Sequence, residues 1–148
     1  MSAEETGELA KNWFGKGWSC AESVLQVLSQ ALGIESALIP RISTGFGSGM
    51  ARLAGPCGAI SGAVMGIGLA YGRNTGDGDR EYAYALIQEF VDRFTKRFGA
   101  TGCRELTGCD FNTEEGQRRF MEQDIEKMCR DFCGHAAQTA IELMIEGV

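Results

Sequence analysis

The chain has 148 residues, with 20 acidic against 14 basic side chains and a net charge of −6. That length suits one core, since domains usually hold about 100–200 residues. An acidic chain without a lysine or arginine cluster is not expected to bind nucleic acid. The opening MSAEETGELAKNW has no basic start, apolar run or small-residue cleavage site, so no export signal is expected. In the cytoplasmic location this implies, structural disulfides are rare, and six cysteines point to metal binding or redox chemistry. A hydrophobic content of 44% with two prolines suits a compact folded chain.

Apolar positions from Leu9 to Phe14, then Val24, Leu25, Val27, Leu28, Ala31 and Leu32, recur at intervals of three and four, which predicts two opening helices. The second starts near Ser19, whose hydroxyl can cap it, and stops at Gly33. The next stretch, IESALIPRISTGFGSGMARLAG, carries Pro40 and repeated glycines and reads as a short helix and a flexible turn. GFGSG inside it has a superficial likeness to a dinucleotide loop, but the strand, long helix and alternating units such a loop needs are missing. From Arg80 to Phe98, the residues Tyr82, Leu86, Phe90, Val91, Phe94 and Phe98 form one apolar stripe opposite charged residues, a helix whose aromatics belong to the core. TGDGD before it is a turn, with too few carboxylates at Asp77 and Asp79 for the usual calcium loop. TGCRELTGCDFN is a short helical turn or two, and a last helix runs from about Thr113 to Ile145 with a candidate break near Met128 to Gly134. No alternating strand pattern lasts anywhere. The fold expected is therefore all-α, a single-domain helical bundle over residues 1–148 around a central glycine-rich helix.

That central helix lies in AGPCGAISGAVMGIGLAYGR. Its uncharged run from Cys57 to Tyr71 offers 15 residues, short of the about 20 needed to span a membrane. Apolar on all sides, it is expected at the centre of the bundle. Gly58, Gly62 and Gly66 are four apart and align on one face, where they let another backbone approach. Each costs about 1 kcal/mol relative to alanine, which the close contacts must return. Pro56 suits the first helical position and so places Cys57 in the first turn, where unpaired N–H groups favour thiolate over thiol.

Cys20 opens the second helix, Cys103 and Cys109 each follow a glycine in a duplicated TGC, and Cys129 and Cys133 share a helix face. Helix starts meeting at one point would make a positive pocket suited to thiolates, a sulfide-bridged cluster or an anion. No CxxC pair is present, so neither a zinc ribbon nor a thioredoxin-type dithiol is signalled, and CRDFCGH lacks the CxxCH of covalent haem attachment. His135, the single histidine, is expected on a helix face without a catalytic role, and with no serine elbow nothing suggests hydrolysis.

Over nearly its whole length the chain resembles the C_GCAxxG_C_C family, whose name marks its members as redox-active cysteine proteins. The central CGAxxG motif stands as Cys57, Gly58, Ala59 and Gly62; the first signature cysteine matches Cys20 within GKGWSCAESVLQVL and the third matches Cys103 within FGATGCRELTG. For the fourth, Cys129 in KMCRDF fits better than Cys133, while Cys109 and Cys133 look like additions. The resemblance implies a bacterial protein with a redox or transporter-associated partner. A related domain in split-Soret cytochromes accompanies an iron–sulfur centre.

These readings give two expectations. In the first, Cys20, Cys57, Cys103 and Cys129 converge in a small redox protein, either as ligands of an iron–sulfur cluster with Gly58 and Gly62 beside it, or as a thiol–disulfide couple with Cys57 as nucleophile and Cys20 as a second catalytic thiol. In the second, the chain is a non-enzymatic helical module, stabilised by a structural zinc on the same sulfurs or binding a ligand, that serves a transporter or other partner. The glycine-faced helix or the remaining apolar stripes would also serve a homodimer contact.

Overall fold

Ser2 accepts a hydrogen bond from the Glu5 N–H at 3.1 Å and so starts α1 (Ala3–Gly15). The computed structural model describes all residues, 1–148, as helices and connecting turns without a strand. Helix α2 (Cys20–Ala31) begins with a capping box: Ser19 Oγ accepts from the Glu22 N–H at 3.2 Å, and the Ser19 N–H donates to Glu22 Oε1 at 3.1 Å. It ends at Leu32 and Gly33, as the sequence predicts, with Gly33 in the left-handed region at φ 69°.

Segment 34–55 departs from the short helix and flexible turn expected of it. A 3₁₀ helix (Arg41–Phe46) leads into α3 (Gly47–Arg52), whose inner residues Ser48, Gly49, Met50 and Ala51 all have positive φ, between 55° and 69°. Arg52 and Ala54 follow at φ 69° and 60°. This is a left-handed turn built mostly from non-glycine residues, each of which costs about 1–2 kcal/mol in that conformation. Gly49 is required within it, because an added Cβ would stand 2.5 Å from Cys103 Cβ.

Helix α4 (Gly58–Tyr71) is capped at Cys57, two residues later than expected. Pro56 is not its first helical residue: it lies outside, in an isolated antiparallel bridge with Gly102. Nor is the helix buried all round. Gly58, Ala59, Gly62, Ala63, Gly66 and Ile67 face inward, whereas Ser61, Val64 and Met65 are half-buried and Leu69 is exposed. Its glycine face meets α2, where a Cβ on Gly62 would lie 2.8 Å from the Ala21 carbonyl oxygen. The crossing therefore brings backbone onto backbone, which any side chain there would prevent.

Helix α5 (Glu81–Phe98) carries the predicted stripe, with Leu86, Phe90 and Phe94 fully buried, but Tyr82 at its start lies exposed, edge-on to Tyr71. Helix α6 (Cys103–Thr107) is short and ends at Gly108 in the left-handed region. The last helical stretch divides into α7 (Glu114–Glu122) and α8 (Ile125–Glu146) at Gln123 and at Asp124, whose φ is 58°. The break thus falls before Met128, and residues 128–134 are continuous helix. Gly134 marks a crossing instead: its carbonyl oxygen would be 2.8 Å from a Cβ on Gly7 of α1. One contiguous core of 23 buried residues joins α1, α2, α4, α5 and α8. No helix is long and apolar enough to cross a membrane.

The two kinds of glycine in α4 separate on substitution. Gly62→Ala forces overpacking against Ala21, with an expected loss of about 1–3 kcal/mol, whereas Gly68, which faces open space, gains up to about 1 kcal/mol as alanine. Thermal unfolding followed by circular dichroism checks this; equal effects of the two changes would contradict the crossing.

Candidate thiol site

The short bridge outside α4 positions two of the cysteines. The Cys57 N–H donates to the Thr101 carbonyl at 2.7 Å, and the Cys103 N–H donates to the Gly55 carbonyl at 2.9 Å. These two bonds flank the Pro56–Gly102 pair and hold the start of α6 against the start of α4. The α2–α4 crossing adds a third helix start, because a Cβ on Gly58 would be 2.9 Å from the Ala21 nitrogen and 3.2 Å from Cys20 Cβ. Cys20 is the first residue of α2 and Cys103 the first of α6. Cys129 arrives from the second turn of α8, so it and Cys133 are interior helix residues.

Cys20, Cys57, Cys103 and Cys129 line one cavity of about 340 Å³, walled by phenylalanines that include Phe14, Phe120 and Phe132. Gly58 also lines it, whereas Gly62 lies a turn further along against Ala21 and makes no part of the lining. Cys133 is fully buried outside the lining, yet its sulfur faces that of Cys20. Cys109 is also buried and apart; its N–H donates to Thr107 Oγ1 at 3.1 Å and its thiol to the Thr107 carbonyl at 3.7 Å. His135 is half-buried between the edges of Phe94 and Phe98, and burial pulls it below the usual imidazole range.

The thiols are electrostatically unequal. Cys57 is held below the ordinary thiol range, chiefly because the Cys20 thiol donates toward it, with the Ala59 and Ile60 N–H groups of the α4 start helping and burial opposing. Neither N–H closes to a regular capping hydrogen bond. Cys20 lies well above the ordinary range, since its proton is shared toward Cys129, Cys133 and Cys57 and its burial disfavours charge. Burial, aided by Cys57, Cys129 and Cys109, pushes Cys103 up to about 12. Burial also raises Cys133, partly offset by donation from Cys20. These forces favour the thiolate at Cys57 over the thiolate at Cys20 or Cys103.

All six cysteines are free thiols. No three of them, nor any His, Asp or Glu with them, converge on a point where a single metal ion would be held.

The family described as "Putative redox-active protein (C_GCAxxG_C_C)" matches residues 18–143. The chain belongs to the C_GCAxxG_C_C family. No curated protein and no solved structure in the comparisons matches it. Within the family match, the sequence reading named four cysteines of the cavity but missed its mouth. Ser48, Gly49 and Arg52 of the left-handed turn stand there, as do Gln117 and Met121 of α7. Only the glycine density around GFGSG hinted at an unusual backbone, and nothing in the residue types announced Arg52.

Iodoacetamide labelling quantified peptide by peptide tests the electrostatics. Cys57 is expected to reach half its maximal rate below pH 9, the ordinary thiol value. In Cys20→Ala that midpoint moves upward, because the thiolate loses its principal donor. A midpoint unmoved by the substitution would contradict the assignment.

Proposed function

We propose that the protein is a thiol redox protein in which Cys57 and Cys20 pass between a dithiol and a disulfide. The observation that carries this reading is the pairing of a thiolate-favouring Cys57 at a helix start with a proton-holding Cys20 beside it, both on an open cavity. The Cys57 thiolate attacks one sulfur of an incoming disulfide; the sulfur–sulfur bond breaks and one half leaves as its thiolate. The other half stays joined to Cys57. Cys20 then gives its proton to the leaving thiolate or to water and attacks the Cys57 sulfur, which releases the second half and closes a Cys20–Cys57 disulfide. Two electrons pass from the protein to the substrate. With Cys103 at about 12, that thiol stays protonated near neutral pH and does not compete as nucleophile.

In Cys20→Ala, a disulfide reagent is expected to stop at a mixed disulfide on Cys57, with one equivalent of thiol released per protein, whereas the wild type releases two. Whole-protein mass spectrometry reads the adduct directly. Release of two equivalents by both proteins would overturn Cys20 as the resolving thiol.

A second reading rests on a different observation: four cysteines line one cavity without converging on a single-ion point. These four would hold an iron–sulfur cluster. Cys20, Cys57, Cys103 and Cys129 would be its ligands, and four thiolates suffice for either common type. Such a group supplies one-electron transfer when bound. Protein purified without oxygen should then contain iron and acid-labile sulfide in near-equal amounts and lose both in Cys103→Ala. Stoichiometric zinc without sulfide would instead support the non-enzymatic module.

A further inference from the structure

The cavity that holds the thiols has an asymmetric lining. Its walls are aromatic, and Arg52 is the one charged residue on it; no aspartate, glutamate, lysine or histidine takes part. In a chain of net charge −6, a thiol cavity without a carboxylate is a local reversal of the overall field. The segment that carries Arg52 is itself free of acids, since residues 36–76 contain Arg41, Arg52 and Arg73 and no aspartate or glutamate. The acidic side chains Glu22, Asp124 and Glu126 line an adjoining groove that shares Phe14, Ser19, Ser48, Phe120 and Met121 with the cavity but not Arg52.

Arg52 is also free to act. It is exposed, and it takes part in none of the eight ion pairs of the molecule. Its place depends on the left-handed turn, where Ser48, Met50, Ala51 and Arg52 itself all have positive φ. A backbone held against its preference in this way is found chiefly where function requires it. A guanidinium offers a planar fork that matches a carboxylate in a two-point hydrogen bond.

We propose that Arg52 selects the substrate of this site: a small disulfide with an apolar or aromatic body and a carboxylate, the body against the phenylalanine walls and the carboxylate on the guanidinium. This inference rests on the thiol–disulfide reading above and adds the substrate class. The cavity, at about 340 Å³, falls at the small end of ligand sites, which span about 300–1,000 Å³. It is of a size to admit a low-molecular-weight disulfide. With its carboxylate on Arg52 at the mouth, the disulfide bond of such a molecule points inward to Cys57, and the transfer proceeds with the electron balance already given.

Two reagents separate charge from reactivity: dithiobis(nitrobenzoate), an aromatic disulfide with a carboxylate on each half, and dithiodipyridine, its neutral counterpart. The quantity read is the ratio of their rates at Cys57, followed by stopped-flow absorbance with the labelled peptide identified by mass spectrometry. Arg52→Gln is expected to lower the anionic-to-neutral ratio about tenfold, in the range of one charge-assisted hydrogen bond. Arg52→Lys keeps the charge but not the fork and should fall between. Raising the salt to about 1 M should lower the ratio in the wild type and have little effect in Arg52→Gln. A ratio that is the same in wild type and Arg52→Gln would overturn the role of Arg52 while leaving the thiol chemistry standing. A Cys57 inert to both reagents would overturn the thiol–disulfide reading, and this inference with it.

Discussion

The close crossing of α2 on α4 is the constraint on which the site depends. Gly58 and Gly62 present bare backbone to Ala21, so that the Ala21 nitrogen and carbonyl oxygen sit where two Cβ atoms would otherwise be. Cys20 precedes Ala21 and Cys57 precedes Gly58, and the contact that packs the helices therefore also apposes their first sulfurs. The CGAxxG motif of the family reads physically as a cysteine at a helix start followed by the glycines that let a second cysteine-bearing helix start approach. Fold stability and thiol placement are one interaction here. A larger residue at Gly58 would push Cys20 away from Cys57 by the same displacement that relieves its clash.

Around that crossing the structure divides labour among chemically identical side chains. Burial alone drives every thiol toward its neutral form, as it does for Cys103 and Cys133. Cys57 escapes because a neighbouring thiol gives it a proton to lean on and a helix start gives it N–H groups. Cys20 is raised in turn, first by donation toward Cys129 and Cys133 and then by donation toward Cys57. A third helix start is tied in by the hydrogen bonds from Cys57 to Thr101 and from Cys103 to Gly55. The left-handed turn closes over it, its Gly49 packed where only a hydrogen fits beside Cys103.

Much of this was legible in the sequence where local chemistry and tertiary packing agree. Ser19 marked the start of α2, the stripe of Leu86, Phe90 and Phe94 marked α5, and the glycine spacing marked the face on which α4 is crossed. The reading failed where tertiary contact overrides local preference. Pro56 looked like a first helical residue, but pairing with Gly102 holds it outside α4 and makes Cys57 the cap. Gly134 looked like a break, yet it serves the crossing of α1 on α8, while the actual break falls at Asp124, a residue type that tolerates positive φ. The left-handed turn could not be read from MAR, because methionine, alanine and arginine have no preference for that conformation. Cys133 looked like an addition to the four signature cysteines, and only the three-dimensional course of α8 brings its sulfur toward Cys20.

The apposition of Cys20 with Cys57 at two helix starts is the central claim. Its most direct test is to oxidise the reduced protein with one equivalent of a two-electron oxidant under native conditions, digest it and map the disulfide by mass spectrometry. The account predicts a Cys20–Cys57 bond as the dominant product. A dominant bond that leaves Cys57 free, or a statistical mixture of pairs, would contradict it.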